Sequence, residues 1–169
     1  KGRLIVPCWK VEPDGVFAVF SEDHGQTWQR GGTVSDPAGG NEDQLVELAD
    51  GRILLDVRQR AGPNRWTAVS RDGGRTWSVP CRGQTVSPVC CAIERYTLRS
   101  AGDDRNRIVW TGPKGPDRVN LVARISEDEA GSFPCERLIA AGSAAYSDLA
   151  LLQDGRVGVL WERERYQFI

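Results

Sequence analysis

Histidine is nearly absent from this chain: His24 stands alone among 169 residues. A His-based catalytic triad or a multi-His metal site therefore has little to draw on. The five cysteines are Cys8, Cys81, Cys90, Cys91 and Cys135, and no two of them make a C-x-x-C pair. That argues against a zinc ribbon or a redox motif. The odd count leaves at least one thiol free unless a partner lies outside the chain, and most of the cysteines are expected as small buried residues. No apolar run approaches the roughly 18 residues of a membrane span. An excess of charge is missing as well: 22 basic and 23 acidic residues leave a net charge of −1. This balance argues against a nucleic-acid partner or a polybasic membrane contact. Long helical periodicity, low-complexity tracts and disordered linkers are also lacking. Lys1-Gly2-Arg3-Leu4 does not read as a signal peptide but as the middle of a domain, so the compartment stays open.

What is present is a repeat. Ser21-Glu-Asp-His-Gly-Gln-Thr-Trp28 and Ser70-Arg-Asp-Gly-Gly-Arg-Thr-Trp77 share the pattern S-x-D-x-G-x-T-W and start 49 residues apart. Upstream, Gly2-Arg3-Leu4-Ile5-Val6 matches Gly51-Arg52-Ile53-Leu54-Leu55 at the same offset. An eroded third copy spans 126–133, with Ala130 where glycine is expected, and a fourth repeat opens at Gly155-Arg156-Val157. A period of about 50 residues is the size of one four-stranded propeller blade. Asp50-Gly51 and Asp154-Gly155 read as two-residue type I′ hairpin turns between apolar runs. The chain is predicted to be all-β.

The S-x-D-x-G-x-T-W pattern is the Asp box, and it resembles the repeats of Asp-box (BNR-repeat) β-propellers. Its aspartates, Asp23 and Asp72, are read as structural. Each is placed to bond nearby amides in a tight turn, with Gly25 or Gly74 supplying the backbone freedom. Trp28 and Trp77 are expected to pack between neighbouring sheets.

A second set of residues carries the chemistry. Asn41-Glu42-Asp43-Gln44 leads through Asp50-Gly51 to Arg58, and Asp117-Arg118-Val119-Asn120-Leu121, Ala145-Tyr146-Ser147-Asp148-Leu149 and Leu160-Trp161-Glu162 follow. Glu42 and Arg58 lie eight residues either side of Asp50, and Tyr146 and Glu162 lie eight either side of Asp154. Two equivalent hairpins would thus offer their open ends to one propeller face. A two-residue turn would set Asp43 opposite Arg58 and Ser147 opposite Glu162, so that Glu42 and Arg58 sit together at the open end of one hairpin and Glu162 comes next to Tyr146 in the other. Trp9, one period before Arg58, is the equivalent position on the preceding repeat. Taken singly, Glu42 reads as a solvated loop acid, Tyr146 as a packed aromatic and Arg118 as a loop residue. Arg58 singly reads as an ion-pair partner of Asp56 or Glu47.

Together, in this order and spacing, these motifs are similar to the catalytic half of the exo-α-sialidase (neuraminidase) family. The resemblance covers nearly the whole chain. It implies a six-bladed β-propeller of which residues 1–169 are about half the blades, a partial domain truncated at both ends. It implies a glycoside hydrolase that removes terminal sialic acid with retention. Tyr146 would be the nucleophile and Glu42 its base, Arg58 and Arg118 would bind the substrate carboxylate, and Glu162 would hold an arginine of that cluster. A neutral phenol suits a substrate whose anomeric carbon bears a carboxylate. Sialylated glycans (glycoproteins, glycolipids or oligosaccharides) are the implied partners, no metal or cofactor is implied, and the analogy points to a secreted or lysosomal setting. Asp43, Asp148 and Arg124 receive no role and are expected at the surface. The family's first arginine, in an R-I-P segment, and its general-acid aspartate have no counterpart here. The isolated piece is therefore expected to be inactive, since loss of the acid alone costs about 10²–10⁴-fold. Two other readings remain. A non-catalytic Asp-box propeller that binds glycan or protein would keep its binding when Tyr146 is replaced. A trans-sialidase would be told apart by products formed with an acceptor sugar.

Overall fold

The computed structural model describes residues 2–11, 14–35 and 39–164. The chain divides into two compact units, residues 1–84 and 85–169.

The first unit holds two antiparallel meanders. Strands β1 (Leu4–Val11), β2 (Asp14–Ser21) and β3 (Gln29–Arg30) form one sheet in that order. The other consists of β4 (Asn41–Glu47), β5 (Ile53–Arg58), β6 (Asn64–Ser70) and β7 (Cys81–Thr85), also in chain order. β1 lies against β4, so the first strands of the two sheets are neighbours. Val16, Val34, Leu55, Val57 and Ala68 form the core between them, with Leu45, Trp66 and Trp77 packed at its edge. Residues 53–57 of β5 are all buried, because both faces of this central strand are covered.

The second unit repeats the plan. β8 (Ala92–Thr97), β9 (Arg107–Pro113), β10 (Val119–Ser126) and β11 (Cys135–Ser143) make a four-stranded meander. β12 (Ser147–Leu151) and β13 (Val157–Trp161) form a hairpin, and β12 lies against β8 and β9. Trp110, Ile108, Leu121 and Val122 fill the interior. The described regular structure is all-β apart from one 3-10 turn, Arg99–Ala101.

The three Asp boxes fold alike. Ser21 Oγ donates to Asp23 and accepts the Gly25 amide, while both Asp23 oxygens take the amide and hydroxyl of Thr27 at 2.6–2.8 Å. Ser70, Asp72, Gly74 and Thr76 repeat this set, and so do Ser126, Asp128, Ala130 and Ser132 in the eroded copy. Ala130 adopts φ +66°, the left-handed conformation that Gly25 and Gly74 adopt at +89°. The hydrogen-bond set thus survives loss of the glycine, at the expense of backbone strain. The Thr27 hydroxyl and amide and the Ser21 hydroxyl hold the Asp23 carboxyl down at about 2. Burial pushes Asp72 upward, but the bonds from Thr76 and Ser70 outweigh it and leave it at about 2. These carboxylates are committed to their turns. The tryptophans differ from expectation: Trp77 packs against the core, but Trp28 is exposed, its indole donating to the Gly25 carbonyl.

Ser70→Ala tests the turn. It removes a buried hydroxyl that serves the Asp72 carboxylate and the Gly74 amide at once. The expected loss is about 1–3 kcal/mol in urea unfolding. A loss under about 0.5 kcal/mol would mean that water replaces the hydroxyl without penalty.

The hairpin turns correct the expected register. The Gly51 amide donates to the Leu48 carbonyl and the Leu48 amide to the Arg52 carbonyl, enclosing three residues rather than two. In this turn only Gly51 has positive φ, at +81°. This is a type I turn closed by a left-handed glycine, not a type I′ turn. Leu152, Gly155 and Arg156 do the same in the second unit, with Gly155 also at +81°. The extra loop residue shifts each ladder by one. Asp43 therefore faces Val57 instead of Arg58, and Ser147 faces Trp161 instead of Glu162. The cysteines also depart from expectation. All five are free thiols, but only Cys91 is buried, while Cys81 and Cys135 are exposed.

Candidate active site

In the first unit the β4–β5 ladder slips between Asn41 and Asp43, so that Asn41 pairs with Arg58 and Asp43 with Val57. Glu42 is the extra residue of this bulge and carries φ +39°. Bulges re-aim side chains, and a non-glycine residue held at positive φ is strained backbone that recurs at functional sites. The turn alone would set Glu42 opposite Arg58; the bulge carries the register one residue further, to Asn41, and leaves Glu42 beside that pair, where the Arg58 guanidinium forms an ion pair with its carboxylate, both groups part-buried. Asp56 is engaged by Arg65, whose Nε lies 2.8 and 2.9 Å from the two carboxylate oxygens and whose Nη2 donates to the Asp56 carbonyl. Arg65 is completely buried. Trp9 on β1 is 43% exposed.

In the second unit Arg118 immediately precedes β10. Its guanidinium donates to the Pro88 carbonyl at 2.9 Å and lies 5.6 Å from the centre of the Tyr146 ring. Arg118 also accepts the Ala144 amide at its carbonyl. Two residues on, Asn120 has φ +59°, accepts the Gly142 amide at Oδ1 and sits where β10 loses register with β11. Asparagine tolerates this conformation better than most residues, which gives the R-x-N-L pattern a backbone reason.

Tyr146 directly precedes β12, and its backbone meets Glu162. The Glu162 amide donates to the Tyr146 carbonyl at 2.9 Å, and the Tyr146 amide lies 3.3 Å from Glu162 Oε2. The Ser147 amide donates to the Cys90 carbonyl, and the Ser147 hydroxyl to the Thr111 carbonyl. Glu162 thus holds Tyr146 through both its amide and its carbonyl, and the neighbouring Ser147 is anchored to Cys90 and Thr111. An arginine was expected beside Glu162. Among the described residues its carboxylate instead meets the Tyr146 amide, because the shifted register puts the two residues opposite each other.

Glu42 and Arg58 therefore come together in the first unit, and Arg118, Tyr146 and Glu162 in the second. Of the residues given no role, Asp148 is exposed, whereas Arg124 pairs with Glu136 and lies over Trp110. Asp43 is not at the surface: it is only 7% exposed, and burial pushes its carboxyl up to about 7. The sequence reading also missed the carbonyls of Pro88 and Cys90, which brace Arg118 and β12. Backbone acceptors leave no signal in residue identity. The described residues contain no cluster of three or more His, Cys, Asp or Glu able to hold a metal ion, and no helix is long and apolar enough to cross a membrane.

The sequence profile of the BNR repeat-like domain matches residues 1–159. The chain belongs to this family. BNR-repeat relatives align over nearly its whole length. A sialidase of Micromonospora viridifaciens is 34% identical over 170 residues, covering 95% of this chain and 26% of the relative. An anhydrosialidase of Macrobdella decora is 28% identical, covering 96% and 23%. The chain thus spans about a quarter of the length of these relatives. Among solved structures, the Hadza microbial sialidase Hz136 superposes with a TM-score of 0.81 at 22% identity, over 95% of this chain and 32% of that one. A Trypanosoma rangeli sialidase gives 0.72 at 19% identity, over 96% and 28%. The BNR-repeat membership and the sialidase-type all-β propeller fold agree with what the Asp boxes, the 49-residue period and the motif resemblance implied.

Proposed function

We propose that the full-length protein is an exo-α-sialidase that releases terminal sialic acid from sialylated glycans with retention of configuration. The observation that carries this reading is the tethering of Tyr146. Its amide and carbonyl are both bonded by Glu162, the next residue, Ser147, is held by the carbonyl of Cys90, and a guanidinium lies over its ring. The chain's likeness to sialidases over 95% of its length supports the same reading.

In the proposed reaction Arg58 and Arg118 grip the substrate carboxylate, to which a planar guanidinium donates two parallel hydrogen bonds. Glu42 takes the phenolic proton as the Tyr146 oxygen attacks the anomeric carbon. The glycosidic bond breaks, and its oxygen leaves with a proton from a general acid. Water then attacks the same carbon, giving its proton back through the acid–base pair and freeing the tyrosine. The Glu42–Arg58 ion pair fits the resting state, and substrate carboxylate would compete with Glu42 for that guanidinium. Glu162 acts through the Tyr146 backbone. The reaction also calls for a general acid, for which residues 1–169 carry no matching motif.

Proton NMR of an aryl α-sialoside incubated with the full-length protein tests this directly. The α-anomer of free sialic acid is expected first, with the β-anomer appearing only by later mutarotation. First release of the β-anomer would overturn the double-displacement reading. A folded protein with no turnover would overturn the enzyme reading altogether.

A further inference from the structure

Asp43 has no part in the reaction just described, yet it is one of the most unusual groups in the first unit. It directly follows the bulged Glu42 on β4 and is buried, facing Val57 across the ladder. Its carboxylate accepts a hydrogen bond from its own backbone amide. The second oxygen, Oδ2, is buried with no hydrogen-bond partner among the described residues. The titratable and charged groups around it come from three strands. β1 contributes Cys8, β5 contributes Asp56 and β6 contributes Arg65. β2 also touches β4 and has no titratable residue from 15 to 20. Arg65 is the cation in this group, and it is already held by Asp56. An ionised Asp43 would therefore be a second carboxylate beside a single, already engaged guanidinium, with one oxygen facing no donor. A neutral carboxyl in the same place leaves only an unpaired hydroxyl, which is far less costly to bury.

We propose that Asp43 is a positioning residue that works as the uncharged acid, keeping the β4 bulge closed so that Glu42 stays against Arg58, and that its ionisation opens the bulge. The sign of the pH effect follows. An unfolded aspartate ionises near about 4, whereas burial keeps the folded group protonated up to about 7. Between these values the folded state binds more protons than the unfolded one, so stability falls as pH rises through this window and levels off above it. The loss is concentrated at the bulge, because that is where the charge appears.

The link from the bulge to turnover rests on the sialidase reading, so the test uses two separate readouts on the full-length protein. Hydrogen–deuterium exchange of peptides covering residues 41–47 is followed between about pH 5.5 and 8.5, corrected for the intrinsic pH dependence of exchange. In the wild type, protection is expected to drop about tenfold or more across the Asp43 titration. In Asp43→Asn, an uncharged near-isostere, the drop is expected to vanish. Asp43→Ser provides the same comparison should asparagine not be accommodated. The second readout is the pH profile of sialoside turnover. The alkaline limb is expected to move to higher pH in the variant, with the change in kcat rather than KM. Exchange that varies with pH equally in wild type and variant, or in neither, overturns the proposal. Exchange that behaves as expected beside superimposable pH profiles overturns the positioning role. A wild type without turnover at any pH defeats the sialidase reading, while the exchange experiment still decides whether Asp43 controls the bulge.

Discussion

Tyr146→Phe is expected to reduce sialoside turnover by the full-length protein by at least about 1,000-fold, because it removes the attacking oxygen and leaves everything else in place. The fold should not suffer. The two bonds to Glu162 run through the Tyr146 amide and carbonyl, and a phenylalanine backbone makes them equally. The Arg118 guanidinium would still lie over an aromatic ring. Binding of a non-hydrolysable sialoside should therefore persist while kcat collapses. Release of a fluorescent aglycone, measured beside binding of an inert analogue, separates the two. A variant that remains as active as the wild type would show that another group is the nucleophile. A variant that loses binding as well as turnover would favour a recognition role for the phenol.

The second large effect concerns stability. Arg65→Met should destabilise the protein by about 3–5 kcal/mol in urea unfolding, since it leaves Asp56 buried without its counter-ion. Both partners are out of contact with water, and the guanidinium donates to both carboxylate oxygens and to a backbone carbonyl. Removing both charges together, Arg65→Met with Asp56→Leu, should recover much of the loss, as replacement of a whole buried pair by apolar groups often does. A loss below about 1 kcal/mol in the single variant would mean that Asp56 reaches water or takes up a proton at little cost.

Two kinds of information were unequally legible in the residues. Periodic features were readable: the 49-residue repeat, the Asp boxes and the glycines at Asp50-Gly51 and Asp154-Gly155 all report local backbone demands. The eroded box at 126–133 illustrates how far this holds, since Ser126 and Asp128, with the Ser132 hydroxyl in place of threonine's, were enough to rebuild the turn. The hairpin register was not readable, because Asp-Gly suits a two-residue turn and a three-residue turn equally well. That single residue decides which side chain faces which across the ladder. Arg58 shows the consequence. Spacing alone put Glu42 beside it at the open end of the hairpin, and the two do pair, but through a bulge at Glu42 that no residue pattern announced.

The sequence by itself determined the all-β class, the blade-sized repeat, the Asp-box turns and the resemblance to sialidases. All of these rest on short-range geometry or on motif order, which survive in one dimension. The tertiary structure alone decided the rest. It buried Arg65 against Asp56, buried Asp43 with an unpaired oxygen, matched Glu162 to the Tyr146 backbone and used the carbonyls of Pro88 and Cys90 as braces. Burial and charge pairing depend on which strands pack together, and a carbonyl is the same atom in every residue.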